Sequence, residues 1–162
     1  MKVFSVVAFA SPIMAAALGR AVTPTADQAN NTFAELDDIQ VLCGVPTPSN
    51  ELPAESYAYP IGMLLSAAGQ SLHMDAGPAN CKQAACGTKS GAGVIVCNDE
   101  KNSVDLLYSD IGFFAQQVYN KCKHRRDDID YVQKGQAFCP DGWNVILTDV
   151  GTDCHASTIP PN

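Results

Sequence analysis

Seven cysteines constrain the fold of this 162-residue chain more than any other feature. All of them follow the N-terminal apolar segment: Cys43, Cys81, Cys86, Cys97, Cys122, Cys139 and Cys154. In an oxidising compartment we expect three disulfides, with one thiol left over that is buried, reactive or paired with another chain. Six paired cysteines allow 15 connectivities, so the spacing alone selects none. The Cys81-x4-Cys86 spacing also suits zinc, but no second close pair completes a four-ligand site, so we expect no metal and no cofactor.

The N-terminus predicts the compartment. Lys2 is followed by an apolar run from Val3 to Leu18, and small residues then line up at residues 15–17 and 19. This pattern is typical of a cleaved signal peptide, whose peptidase accepts small side chains. A membrane-spanning helix needs about 20 apolar residues, and this run is shorter and contains Pro12. We therefore predict a signal peptide over residues 1–19 and a secreted, extracellular protein without stable membrane insertion, with later uptake into host cells left open.

The net charge limits the classes of molecule that the protein is expected to bind. The chain carries a formal charge of −7 at pH 7. Because nucleic-acid affinity comes largely from Lys and Arg that neutralise phosphates, an acidic chain is not expected to bind nucleic acid.

The remaining chain divides into three segments. Residues 20–42 are polar and acidic and predict a flexible leader, with an N-glycosylation sequon at Asn30-Asn31-Thr32 that makes Asn30 a candidate acceptor. Residues 43–154 hold the cysteines and predict one stapled domain, expected to be a monomer unless the odd cysteine links two chains. Residues 155–162 contain two prolines and predict a disordered tail.

The pattern of apolar residues predicts the elements of the domain. A short helix is expected from Pro60, ended by Gly69, and a clearer helix from an N-cap at Ser109 to Cys122. Strands are expected at residues 81–86 and 94–97, the second in the interior of a sheet because it lacks polar alternation. Residues 136–138 and 143–147 flank Pro140-Asp141-Gly142 and predict a hairpin. The predicted fold is α+β: a small disulfide-stapled sandwich of an antiparallel sheet of about four strands packed with two helices.

Few residues suggest catalysis, so we expect no enzyme. His73 and Asp75 form a His-x-Asp pair that suits either an acid–base site or a solvated loop. His124 and His155 are expected at the surface. Asp99-Glu100 follows a strand end. The pair fits either a turn cap or one carboxylate of a glycosidase, and a glycosidase would need a second carboxylate on the other side of the sugar. Arg125-Arg126 resembles a dibasic processing site, which makes Arg126 a candidate cleavage point, although a solvated loop explains it as well.

Several short motifs carry a resemblance. They are Cys43-Gly44, Ile95-Val96-Cys97-Asn98-Asp99, the helix that ends at Cys122, Gly135-Gln136-Ala137-Phe138, Trp143-Asn144-Val145-Ile146 and Cys154. With these motifs, most of residues 43–154 resembles small secreted cysteine-containing proteins of filamentous fungi, many of them effector candidates. In such proteins a further cysteine is expected soon after the Asn-Asp pair. Its absence here from Leu106 to Ile111 accounts for the odd number of cysteines.

The order strand–cysteine–helix–cysteine also resembles, more weakly, the killer toxins of smut fungi that fold as an α/β sandwich and block ion channels. This resemblance implies the pairs Cys43–Cys122 and Cys97–Cys154. Those toxins are basic and richer in cysteine, whereas this chain is acidic, so the resemblance does not carry their activity over.

Three hypotheses about function follow. The first is a secreted effector-like protein that binds a host or extracellular protein or a cell-wall component, and that promotes virulence or triggers host responses. The second is a killer-toxin-like antimicrobial or channel-directed protein. The third is a small secreted hydrolase, of ribonuclease type, that uses His73 with a carboxylate.

Overall fold

A computed structural model describes residues 39–45 and 51–154. They belong to one compact unit, Glu35–Asn162. The predicted signal peptide, the glycosylation candidate Asn30, most of the predicted leader and the predicted tail lie outside the described residues.

The described residues form ten strands, two α-helices and one 3-10 turn. In chain order they are β1 (Gln40–Cys43), β2 (Leu52–Pro53), the 3-10 turn (Ala54–Tyr57), α1 (Ala58–Ser66), β3 (Ser71–Met74), β4 (Asn80–Cys86), β5 (Ala92–Asn98), β6 (Val104–Leu107), α2 (Tyr108–Cys122), β7 (Lys123–Arg126), β8 (Ile129–Val132), β9 (Gly135–Phe138) and β10 (Trp143–Asp149).

The strands form three antiparallel sheets. The largest has the order β1-β9-β10-β5-β4, and the others are β2-β8-β7 and β3-β6. The fold class is therefore α+β, as predicted. The four predicted strands correspond to β4, β5, β9 and β10, which are neighbours in the largest sheet, and β5 lies in its interior. The prediction of about four strands was too low because the six others are at most four residues long, too short for an apolar pattern to identify them.

The two helices pack on the five-stranded sheet and enclose one core. On α2 the apolar residues at helical spacing, Ile111, Phe114, Ala115, Val118 and Cys122, are all buried. They share one core with inward-facing residues of β5 and β10, including Val94, Val96, Val145 and Leu147, which are fully buried. The Phe114 ring lies 4.7 Å from the Trp143 ring, centroid to centroid. This packing stabilises the domain by removing a continuous apolar surface from water.

The helix starts differ from the prediction. Helix α2 begins at Tyr108, after Leu107, and Ser109 lies inside its first turn without capping it. Pro60 is the third residue of α1, not the first. Since the preceding strand β6 continues to Leu107, the chain enters α2 directly from a strand, and tertiary pairing sets the boundary instead of a side-chain cap.

Three disulfides link these elements: Cys43–Cys122, Cys81–Cys97 and Cys86–Cys154. The first is the pair that the toxin resemblance implied, and it ties β1 to the end of α2. The implied pair Cys97–Cys154 is wrong. Cys97 lies directly opposite Cys81 in the β4–β5 register, with the Cα atoms 4.0 Å apart, so the sheet itself supplies its partner.

Strand β1 includes residues 40–42 of the segment that the sequence assigned to the leader. It pairs with β9 from Gln40 to Cys43. Ile39 and Val41 pack against the core, which explains why this segment joins the sheet.

Candidate functional site

Helix α1 leaves apolar side chains in solvent. Its sequence, AYPIGMLLS, contains no charged residue, yet only Pro60, Ile61 and Leu64 are buried. Tyr59 remains 62% exposed and Leu65 44% exposed. An apolar helix normally has neighbours on all sides, so the outward side of α1 has the composition of a surface that contacts a partner.

The hairpin of β7 and β8 extends this surface. Its turn residues Asp127 and Asp128 have φ values of 48° and 64°, a conformation that Asp tolerates and that a two-residue hairpin requires. Just after the turn, Ile129 is 48% exposed. We call the surface formed by Tyr59, Leu65, Tyr119 and Ile129 the α1–hairpin face.

Three adjoining depressions mark this face. The first has a volume of about 460 Å³ and is lined by Glu55, Ser56, Tyr59, Gly87, Thr88, Lys89 and Ser90. The second, of about 500 Å³, is lined by Pro53, Ala54, Glu55, Tyr119, Arg125, Asp128, Ile129 and Asp130. The third, of about 260 Å³, is lined by Ala58, Ile61, Gly62, Leu65, Gln116 and Tyr119. Glu55 is shared by the first two and Tyr119 by the last two, so the depressions form one continuous surface.

Hydrogen bonds join residues that line the first depression. The Ser90 hydroxyl lies 3.3 Å from the Ser56 carbonyl oxygen and 3.4 Å from the Gly87 carbonyl oxygen, and these two acceptors share its proton. A Cβ on Gly87 would lie 2.6 Å from the Ser90 Oγ, so a larger residue there would force the Ser90 side chain to shift. Tyr57, the last residue of the 3-10 turn, is buried, and burial, reinforced by the charge of Asp149, raises the pKa of its phenol.

The dibasic pair Arg125-Arg126 lies within β7, where it pairs with β8. The Arg126 Nη1 atom donates to the Glu51 Oε2 atom at 2.8 Å, and the guanidinium lies 4.4 Å from the Tyr131 ring centroid. His124 Nε2 lies 3.4 Å from the other oxygen of Glu51. These contacts hold the side chain of Arg126, the candidate processing residue, on a folded hairpin.

His73 lies between two carboxylates. Its Nδ1 atom is 2.8 Å from Asp105 Oδ1, and its Nε2 atom is 3.9 Å from Asp75 Oδ1. The Lys82 ammonium lies 3.1 Å from Asp75 Oδ2, and this hydrogen bond and charge lower the pKa of Asp75. An imidazole oriented by a carboxylate is suited to acid–base chemistry, but His73 is 58% exposed, and the three depressions lie elsewhere.

The sequence pattern points to His73 and Asp75 but not to Asp105. The two strands β3 and β6 place His73 directly opposite Asp105 in their register. The chain separation of 32 residues gives no sequence signal for this contact.

Asp99, the other candidate carboxylate, has a structural role. Its Oδ1 atom accepts from the Ala79 backbone N–H at 3.2 Å, and its Oδ2 atom accepts from the Asn144 amide at 2.7 Å. Asn144 is 2% exposed and its side-chain oxygen accepts from Gln136, so Asp99 belongs to a polar network at the end of the largest sheet.

Cys139 is the free thiol of the described residues, and it is partly buried in the turn after β9. Burial, the largest cause, raises the pKa of this thiol, and a backbone hydrogen bond from Asp141 offsets part of the shift. The thiol is compatible with a disulfide-linked dimer, and its raised pKa makes it a slow nucleophile at neutral pH.

Comparisons with known proteins found no family model, curated protein or solved structure that matches this chain. Within residues 39–45 and 51–154, no three His, Cys, Asp or Glu side chains form a metal-binding group. No helix in that part of the chain has the length and apolar character needed to cross a membrane. Three intramolecular disulfides are typical of extracellular proteins.

Proposed function

We propose that this is a secreted, effector-type protein of a fungus that acts by binding an extracellular or host target through the α1–hairpin face. The observation that carries the proposal is the outward side of α1. Uncharged along its whole length, this helix keeps Tyr59 and Leu65 in water although burying them would be favourable.

The size of the expected contribution follows from exposure. Full burial of a leucine side chain is worth about 1.5–3 kcal/mol. Since 44% of Leu65 is accessible, covering it by a partner contributes about 0.7–1.3 kcal/mol, or roughly a three- to ninefold gain in affinity.

Leu107 offers a matched control. It is the same residue type with nearly the same exposure, 42%, and it lies at the end of β6, outside the depressions that define the face. The test compares Leu65→Ala and Leu107→Ala after their thermal unfolding midpoints have been shown to match that of the unmodified protein.

The assay is infiltration of the purified, oxidised protein into leaves of a plant panel, read as the protein concentration that gives a half-maximal response. We expect Leu65→Ala to raise this concentration about three- to ninefold and Leu107→Ala to leave it unchanged. No response and no retention on leaf tissue across the panel would refute the proposal, and equal effects of the two variants would refute the assigned face.

A small secreted hydrolase of ribonuclease type is the second candidate, favoured by the 2.8 Å contact between His73 and Asp105. Any hydrolysis of RNA by the purified protein should fall at least about a hundredfold in His73→Ala. An unchanged rate in that variant would show that the site is elsewhere or that the activity comes from a contaminant.

A further inference from the structure

We propose that the first depression binds neutral pyranose units of an extracellular polysaccharide. The proposal rests on the function proposed above and names the ligand class of one part of the α1–hairpin face. Four properties of the depression support it: the side chains that line it, its charge, its rigidity and the lining residue that it shares with the second depression.

Four side chains in the first depression are available to a ligand: Glu55, Tyr59, Thr88 and Lys89. All four residues are exposed, and within the described part of the chain no hydrogen bond or ion pair occupies their side chains. Together they offer a carboxylate acceptor, an ammonium donor, two hydroxyl groups and one flat ring.

This set matches the chemistry of a sugar. A pyranose has an apolar C–H face, which packs on an aromatic ring, and a rim of hydroxyl groups that both donate and accept hydrogen bonds. The Tyr59 ring supplies the platform, because it is the most exposed of the large apolar side chains in the described residues, at 62%. Glu55, Thr88 and Lys89 line the same depression and offer hydrogen-bonding groups to the rim.

The charges favour a neutral ligand. One acidic residue, Glu55, and one basic residue, Lys89, line the depression, so for a ligand of either sign the attraction to one is offset by repulsion from the other. An anionic ligand would also approach a protein with a net charge of −7. A neutral polyol uses both side chains as hydrogen-bonding groups without this cost.

The backbone of the depression disfavours an extended peptide. The Gly87 N–H donates to the Ala92 carbonyl at 2.8 Å, and the N–H groups of Ser90 and Gly91 both donate to the Gly87 carbonyl. A peptide ligand brings unpaired backbone groups that need backbone partners. Here the internal bonds already use these donors, which leaves the side chains to do the binding.

The depression is also preformed. The Ser90 hydroxyl bonds link residues that line it, and the disulfide Cys86–Cys154 precedes Gly87 directly. Its volume of about 460 Å³ falls within the range of about 300–1,000 Å³ typical of ligand sites. Little ordering entropy is therefore lost when a ligand enters.

A polymer fits better than a single sugar. Glu55 lines both the first and the second depression, so a chain that occupies the first can continue into the second. We therefore expect affinity to rise with the number of sugar units, which is a property of binding along a polysaccharide.

The test is co-sedimentation of the oxidised protein with insoluble chitin, cellulose, β-1,3-glucan and xylan, followed by calorimetric titration with the hexasaccharide of any polymer that retains it. We expect Tyr59→Ala to weaken binding about tenfold and Tyr59→Phe, which keeps the ring, to change it less than about twofold. Leu107→Ala, outside the α1–hairpin face, is the matched control and should leave binding to the sugar within the same limit.

Three outcomes overturn the proposal. The first is no retention on any of the four polymers, and the second is equal binding by Tyr59→Ala and the unmodified protein. The third is binding to plant tissue that is abolished when the tissue is digested with protease but not when its sugars are oxidised with periodate. A leaf response that depends on Leu65 but not on Tyr59 would overturn the sugar site alone and leave the proposed function standing. If the unmodified protein gave neither a leaf response nor tissue binding, both the sugar site and the proposed function would be refuted.

Discussion

Two helical glycines give opposite predictions for the same substitution. Gly62 lies in the middle of α1 and Gly112 in the first half of α2, and neither has a positive φ. A Cβ on Gly62 would meet nothing within 4 Å. A Cβ on Gly112 would lie 2.9 Å from Leu64 Cβ and 3.0 Å from the Leu65 backbone nitrogen, so only glycine lets the two helices approach this closely.

The magnitudes follow from these distances. Replacing a helical glycine with alanine stabilises an unobstructed helix by about 0.5–1 kcal/mol. Gly62→Ala should therefore raise the unfolding free energy by this amount. Gly112→Ala has the same intrinsic gain, but its methyl group meets backbone that cannot rotate away, and such overpacking costs about 1–3 kcal/mol. Its net effect is a destabilisation of about 1 kcal/mol.

The measurement is equilibrium urea unfolding of both variants with the disulfides intact, supported by thermal midpoints. At about 4 °C per kcal/mol for a domain of this size, Gly62→Ala should melt about 3 °C higher and Gly112→Ala about 4 °C lower than the unmodified protein. If Gly112→Ala proved as stable as Gly62→Ala, close packing of α1 on α2 would not be the reason for the glycine, and the arrangement of the helices would need revision.

Two further predictions concern the cysteines. Loop-closure entropy predicts that Cys43→Ala/Cys122→Ala loses about 4.5 kcal/mol of stability, since the bridge spans 79 residues, and that Cys81→Ala/Cys97→Ala loses about 3 kcal/mol for a span of 16. Urea unfolding measures the difference, and an equal or larger loss for the shorter span would contradict this explanation. Among the described cysteines, Cys139 should be the one thiol that is alkylated without prior reduction. Because burial raises its pKa, its alkylation should be slower at neutral pH than that of the unfolded protein and should accelerate towards alkaline pH. Intact mass spectrometry follows the reaction, and rapid labelling at neutral pH would contradict the role given to burial.

The apolar periodicity of the sequence is sufficient for the central elements. The spacing of Ile111, Phe114 and Val118 predicts α2 because a helix that packs on a sheet must carry one apolar side. Pro140-Asp141-Gly142 predicts the β9–β10 hairpin, and Gly142 has the positive φ, 78°, that such a turn uses.

The charged segment from Lys123 to Asp130 shows where this reasoning fails. Its composition is typical of a solvated connection, but it forms most of the β7–β8 hairpin, and every residue of β7 is exposed. A strand that buries nothing has no apolar alternation to detect. Its stability depends on pairing with β8 and on contacts such as that of Arg126 with Glu51, which is 75 residues away in the chain.

The sequence by itself determined the fold class, the two helices, the four central strands and the expectation of a stapled domain, because burial leaves periodic patterns in the chain. Only the tertiary structure decided that Cys97 pairs with Cys81 and Cys86 with Cys154. It alone also showed that His73 meets Asp105, and that Glu55 and Tyr59 share a depression with Thr88 and Lys89. These are contacts between segments far apart in the chain. No local pattern encodes them, since their geometry exists only once the sheets have set the register of their strands.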